Sequence, residues 1–535
     1  MSVLLAAAAM VGACSAPDVV QTERADRVDD ADTPVGTPDA GPTATATDAG
    51  PAATSTTTTV AGTGPTTLTT PGDPAPDGTA VSPSASVDDG ADDGRAPRLG
   101  AGDELFPELG SSDVDVESYD VRLAVDPAAD TISGSVGIVA EVRPGVDAMP
   151  LDAVGLDVTA VTVEGAPADF EQLDTELLVD LPEDRGRRVD AVIEYAAAPD
   201  SSQSRIGLPV GWFQTPGGSY VLNEPDGARR WLPSNDHPSD KATWRFEIDV
   251  PDPLVAVANG ELVTAGDGAG SPWVWEESEP MPTYLVQLIV GDYDVVEDEP
   301  LVDAEGDTVP IVHAVPAGAA DDFEVYARTI ESQVPFFEER FGPYPLDRYG
   351  LAFIDSVGGV AMETLGRSQF STDDFSGRQL GETQQLLLAH ELAHQWFGDA
   401  VTPARWEDIW LNESFATYAQ WLWLDEVGLQ DLDTVAARTL EMRQGGGRPT
   451  GRPEAANLFG FESYDGGAVV VHALRRTMGD EAFFDLLRTW IATYAGTSQT
   501  SDAFEALASD VHGADLTAFF DAWLYATDLP DEYPA

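Results

Sequence analysis

The chain has 535 residues, 43% of them hydrophobic, which is enough for two or three ordinary domains with cores of their own and excludes a wholly disordered protein. Its 94 acidic against 27 basic residues give a formal charge of −67, which repels phosphate backbones and anionic head groups and excludes nucleic acid as a partner. A single cysteine, Cys14, excludes an intramolecular disulfide and any cysteine-built zinc or iron–sulfur site.

In chain order, Met1 to Ala13 form an apolar run with the small residues Gly12 and Ala13 just before Cys14. The run is shorter than the roughly 20 apolar residues a membrane span needs. It resembles the signal segment of bacterial lipoproteins, which implies lipidation of Cys14, a location outside the cytoplasm (membrane-anchored or secreted), and membrane contact through a lipid anchor only. Residues 15–111 are rich in Thr, Ala, Pro and Asp, and the first aromatic residue of the chain is Phe106. Such a stretch cannot bury enough apolar surface to offset its ordering entropy, so a disordered spacer is expected. The acid excess continues beyond the spacer, as expected of a solvated, acidic surface on the folded part.

From residue 112 the pattern alternates with period two. Tyr119, Val121, Leu123 and Val125 share one face of a strand, and further strand-like runs at 132–142, 157–163, 190–195, 244–250, 254–264 and 284–296 are separated by Gly, Pro and Asp turns. These predict an all-β domain over 112–318. The period then changes, with Phe323, Tyr326, Ile330, Val334 and Phe337 at helical spacing. Helical segments are expected at 381–397, 406–428, 432–443, 465–478, 480–494, 501–510 and 514–525, giving a mainly helical domain over 319–535.

Within the first of these segments stands His390-Glu391-Leu392-Ala393-His394. Four residues make slightly more than one helical turn, so both imidazoles project from one face and can share a metal ion, with Glu391 beside them. With only six histidines in the chain, chance is a poor explanation. Two imidazoles and a carboxylate suit zinc with one position left open. The next helical segment offers Glu407, Asp408, Glu413, Asp425 and Glu426 as the third ligand, and spacing does not choose among them.

The run from His390 to Asp399 followed by Trp406-Glu407-Asp408-Ile409-Trp410-Leu411-Asn412-Glu413-Ser414-Phe415 resembles the zinc aminopeptidase N family. The resemblance implies Glu413 as third ligand to a single zinc ion and Glu391 as general base and then acid. Gly358-Gly359-Val360-Ala361-Met362-Glu363 is similar to the family's Gly-x-Met-Glu-Asn segment, which implies that Glu363 binds the substrate's free α-amino group. Glu224, in Asn223-Glu224-Pro225-Asp226-Gly227, falls where the family makes a second amine contact. Tyr464, ahead of Asp465-Gly466-Gly467-Ala468, falls where the family has a catalytic tyrosine able to donate to a developing oxyanion. No motif includes His237, His313, His472 or His512, and these are read as structural.

The resemblance implies a multidomain β plus α/β chain, in which an all-β, saddle-like N-terminal domain precedes a thermolysin-like zinc catalytic domain and the family's long C-terminal helical domain is lacking. The implied activity is hydrolysis of the N-terminal peptide bond of peptides through a zinc-activated water. A zinc endopeptidase of the same class and a non-catalytic surface-binding lipoprotein with structural zinc are the alternatives.

Overall fold

The computed structural model of the protein describes residues 95–535 except 184–185, 268–269 and 445–446. The expected signal segment, Cys14 and most of the expected spacer lie outside the described residues. The spacer, however, ends earlier than predicted. Residues 100–111 form a strap whose ends meet through Gly100 N–H to Gly110 O, with Phe106 and Leu109 buried. Two apolar residues in a polar window carry no periodicity, so composition alone misassigns them. Asp103 organises the strap: one carboxylate oxygen accepts the N–H groups of Leu105 and Phe106, and the other accepts that of Trp406, 303 residues away, at 2.7 Å.

The strand Val114–Asp126 lies inside an eight-stranded sheet, antiparallel to Thr131–Val142 and parallel to Ala242–Asp249. A bulge between Val116 and Ser118 changes the phase of the alternation. Val114 and Val116 point inward before it, and Tyr119, Val121, Leu123 and Val125 after it. A three-stranded sheet (Ala148–Asp152, Glu176–Asp180, Phe170–Gln172) and a four-stranded sheet (Val255–Ala258, Leu288–Gly291, Gly218–Leu222, Gly211–Thr215) complete the β part. Several of these strands were not expected; Ala148–Asp152 is buried throughout and so shows no alternation.

The change of period near 319 does not coincide with the change of sheet. Tyr293–Val302 and Thr308–Pro316 belong to a five-stranded sheet with Leu351–Ile354, Ser368–Ser371 and Ala361–Met362. By sheet membership these two strands therefore group with the second half of the chain, although they precede the change of period near 319. Ala361–Met362 is the edge strand and runs antiparallel to its one neighbour.

Nine α-helices follow among the described residues: α1 (Ala320–Ala327), α2 (Ile330–Phe341), α3 (Glu382–His394), α4 (Trp410–Glu426), α5 (Leu432–Arg443), α6 (Asp465–Met478), α7 (Asp480–Tyr494), α8 (Ser501–His512) and α9 (Thr517–Trp523). The single periodic run from Phe323 to Phe337 is split between α1 and α2, where the Thr329 hydroxyl donates to the Tyr326 carbonyl and ends the first helix. Among the described residues no helix is long and apolar enough to cross a membrane.

A wired seam joins the two halves. Arg367, 1% exposed, donates to Ala258 O, Gln287 Oε1 and Val312 O and lies over the Trp275 ring. Asn259 bridges Leu285 O and Leu365 O, and Tyr284 donates its hydroxyl to Gly398 O. Lys241, the only lysine of the chain, donates to the carbonyls of Asp399 and Ala400.

Candidate active site

Helix α3 presents His390 and His394 on one buried face, their rings edge to face at 4.7 Å. The chain then turns at Gly398, where φ is +126° and an added Cβ would lie 3.0 Å from Asn412 Nδ2 and 3.4 Å from His394 Nδ1. Only glycine fits that bend, which lets α4 pack on α3 with Glu413 in its first turn. Helix α6 approaches α4 so closely that a Cβ on Gly467 would sit 1.7 Å from Ser414 Oγ. That approach brings Tyr464, the residue before α6, to Glu413, whose Oε1 accepts its hydroxyl at 2.7 Å.

The donor set fits a metal ion. His390 Nε2 and His394 Nε2 lie 3.2 and 3.5 Å from the same oxygen, Glu413 Oε2. Ligands on a tetrahedral zinc with bonds of about 2.0–2.1 Å stand about 3.3–3.4 Å apart. The opposite ring nitrogens are engaged as well, His390 Nδ1 with Gln420 Oε1 and His394 Nδ1 with Phe397 O, each at 3.0 Å. Because a carbonyl oxygen only accepts, Nδ1 of each ring carries a proton, which leaves Nε2 of each ring as the atom that faces Glu413 and can bind a metal. A cation among these three atoms would take the place of the protons they otherwise share. Among the described residues no cysteine or third histidine joins the trio. Glu407 is half-buried, Asp408 accepts from Ser501, and Asp425 and Glu426 are exposed, so Glu413 alone of the five acids offered by spacing reaches the histidines.

A second group, Glu363 and Glu391 with His394, adjoins the first. Glu363 follows the edge strand Ala361–Met362, and its carbonyl accepts from Gln395, which also accepts from the Gly366 N–H. Next to it in the fixed stretch, Thr364 accepts from Gln287. Glu391 is buried on α3, its carbonyl accepting from Ser368. Glu224 enters from the four-stranded sheet of the β half. Glu363 Oε1 and Glu224 Oε1 are both buried without a hydrogen-bond partner.

So many carboxylates in one dry place disturb one another. Burial, and then the charges of Glu363, Glu413 and Glu391, push Glu224 well above the usual carboxyl range. Burial likewise pushes Glu391 and Asp399 up, while hydrogen bonds from the two histidines hold Glu413 down at about 2 against its own burial. Burial pushes His390 down, whereas in His394 it is outweighed by Glu363 and Glu413, which push it up. The site as a whole is short of positive charge. A cleft of about 570 Å³ opens from it, lined by Glu224 and Tyr464 at one side and by Phe213, Tyr220, Val360 and Met362 along its walls.

The structure thus gathers His390, His394, Glu413, Glu391, Glu363, Glu224 and Tyr464 at one place. Sequence reasoning missed Gln420, two turns beyond Glu413 and buried among the apolar residues of α4, and the Phe397 carbonyl, which leaves no side-chain signal. It also passed over Asp399, whose carboxylate is buried near Glu363 with neither oxygen hydrogen-bonded. His313 accepts from the Leu351 N–H and His472 pairs with the Tyr418 hydroxyl, both away from the metal trio. His237 lies 3.6 Å from Asp103 at the strap, and His512 is half-buried in the last turn of α8.

Comparison with known proteins gives the geometry its family. Residues 325–523 match the peptidase family M1 domain, and residues 115–285 match the peptidase M1 N-terminal domain. The solved M1 zinc metallopeptidase of Deinococcus radiodurans is 32% identical, with a TM-score of 0.72 over 82% of this chain and 99% of that one. The chain belongs to peptidase family M1. A mutant of the Deinococcus M1 peptidase described as bound to a Tyr-Ser-Ala substrate superposes with a TM-score of 0.74, at 31% identity over 82% of this chain and 100% of that one. "Aminopeptidase N" of Streptomyces lividans is 27% identical over 442 residues, and "Aminopeptidase M1-D" of Oryza sativa subsp. japonica is 28% identical over the same length. The chain spans about half the length of the curated relatives it matches. As an M1 zinc metallopeptidase it takes a single zinc ion, for which the histidine–glutamate trio supplies the donors.

Proposed function

We propose that this M1 peptidase is a zinc-dependent aminopeptidase that hydrolyses the first peptide bond of peptides with a free N-terminus. The observation that carries the reading is the pair of buried, unpartnered carboxylate oxygens on Glu224 and Glu363 beside the metal trio. A buried acceptor without a donor is costly, and a substrate α-ammonium brings both donors and charge. The relatives named as aminopeptidases and the neighbour bound to a tripeptide support the same reading.

His390, His394 and Glu413 would hold the zinc, which when bound acts as a Lewis acid on the scissile carbonyl and on water. Glu391, one residue from His390 and grouped with His394, takes a proton from the attacking water and delivers it to the leaving amine. Tyr464, already donating its hydroxyl toward Glu413, is placed to donate to the oxyanion that develops on the substrate carbonyl. Glu224 and Glu363 fix the amine, so the first peptide bond and no later one stands at the reacting groups. The free side of the edge strand Ala361–Met362 offers backbone groups to an extended peptide.

Turnover of matched peptides with free and acetylated N-termini, each with and without a zinc chelator, tests the proposal. Chelator-sensitive release of single N-terminal residues from the free peptides alone is expected. Internal cleavage of both peptides would replace the reading with an endopeptidase, and bound zinc without cleavage would replace it with a binding protein.

For the N-terminal region the reading is a lipid-anchored protein outside the cytoplasm, supported by the apolar run that ends at Cys14. Mass analysis of the membrane-extracted protein checks it: a lipid-modified Cys14 is expected, and an unmodified N-terminal run would refute it.

A further inference from the structure

The cleft that opens from Glu224 has an unusual charge pattern. Among the described residues lining it, three are acids (Glu224, Asp355 and Asp373) and none is a cation. Fold geometry explains why two of the acids come together. Leu351–Ile354 and Ser368–Ser371 are parallel neighbours in register, Ile354 opposite Ser371, so the residues that follow them emerge at the same end of the sheet. Asp355 and Asp373 are both exposed there, free to meet a ligand entering the cleft. Much of the remaining lining is apolar: Phe213 and Tyr220 stack face to face at 5.1 Å, and Val360 and Met362 come from the loop and edge strand that lead to Glu363. Asp355 and Asp373 therefore line the same cavity as Glu224, whose Oε1 is buried and unpartnered.

Resting on the aminopeptidase reading, we propose that this cleft receives the side chain of the substrate's first residue and selects a long basic one, arginine or lysine, with its cationic head between Asp355 and Asp373. The methylene stem lies along Tyr220, Val360 and Met362, as long cationic side chains pack their stems on apolar surface while their heads stay hydrated. An acidic first residue meets two like charges and is disfavoured. Exposed ion pairs are individually weak, so each aspartate contributes about two- to fivefold in kcat/KM and the pair about tenfold.

The test compares kcat/KM of the zinc-loaded full chain on coumarylamides of arginine, of its uncharged isostere citrulline, of leucine and of glutamate. The wild type is expected to favour arginine over citrulline by about tenfold and to turn over glutamate least, and Asp355→Asn combined with Asp373→Asn is expected to bring the arginine-to-citrulline ratio close to one. Changing two exposed acids of the β half, Glu171→Gln with Asp190→Asn, is expected to leave that ratio intact, which separates a local effect from that of net charge. An arginine-to-citrulline ratio of one in the wild type, or a ratio that survives the double Asp→Asn change, overturns the proposal. Absence of release from all four substrates overturns instead the aminopeptidase reading beneath it.

Discussion

Replacing Glu363 by glutamine keeps the shape of the side chain and removes only its charge. The residue is 3% exposed and its Oε1 has no hydrogen-bond partner inside the protein, so a substrate ammonium would supply the donor that this oxygen lacks. A charged hydrogen bond in such a place is worth about 1.5–3 kcal/mol, which corresponds to about 10–150-fold in kcat/KM. Glu224 remains to hold the amine, so the loss falls within that range rather than abolishing turnover. If the ammonium contributes equally to ground and transition states, the change appears in KM, and if it positions the peptide bond, it appears in kcat as well. The assay is steady-state kinetics on a leucine amide, with zinc content measured on the same samples. A drop of less than about threefold with zinc retained would refute the amine-anchor argument, as would an equal loss on acetylated peptides.

Three further outcomes follow from the same geometry. Glu391→Gln is expected to keep its zinc by metal analysis while losing about 10²–10⁴-fold in kcat, and unimpaired turnover would remove Glu391 from the proton-transfer role. Gln420→Leu removes the acceptor that orients His390, so zinc affinity measured by chelator competition is expected to fall about 10–100-fold; unchanged affinity would show that the contact does not matter. Asp240 is pushed up to about 7 by burial, despite hydrogen bonds from Asn235 and the Val116 N–H. A carboxyl raised in the fold contributes stability that is complete below its unfolded pKa of 3.8 and is lost as pH rises to about 7. Metal-free Asp240→Asn is therefore expected to gain in Tm relative to the metal-free wild type between about pH 4 and pH 7 and to hold that margin above it, whereas parallel Tm curves would contradict the sign.

The reacting groups were readable because each belongs to a short local pattern. The histidines follow from helical spacing, and Glu413, Glu363, Glu224 and Tyr464 from motif resemblance. What supports them was hidden for a physical reason. Gln420 and the Phe397 carbonyl act through contacts across helices, and Arg367, Asn259 and Gln287 reach partners up to 109 residues away. In the fold, alternation located Val114–Asp126 and helical spacing located α3 and α4, whereas the fully buried Ala148–Asp152 and the strap around Phe106 have no period to read. The shift to helical spacing near 319 is real, yet Thr308–Pro316 pairs with Leu351–Ile354, and hydrogen bonds rather than hydrophobic period decide which sheet a strand joins.

The seam has a thermodynamic consequence. Arg367 finds its acceptors on both sides of it, and Asp103, Asn259, Tyr284 and Lys241 each bond across it. If one half melted first, the other would be left holding a buried guanidinium and several bare carbonyls, so partly unfolded forms lie high in free energy. The strap and the two halves then lose structure cooperatively rather than one after another. A destabilising change far out in the eight-stranded sheet would consequently be felt by the metal trio, as a shared loss of the folded population rather than as an altered site.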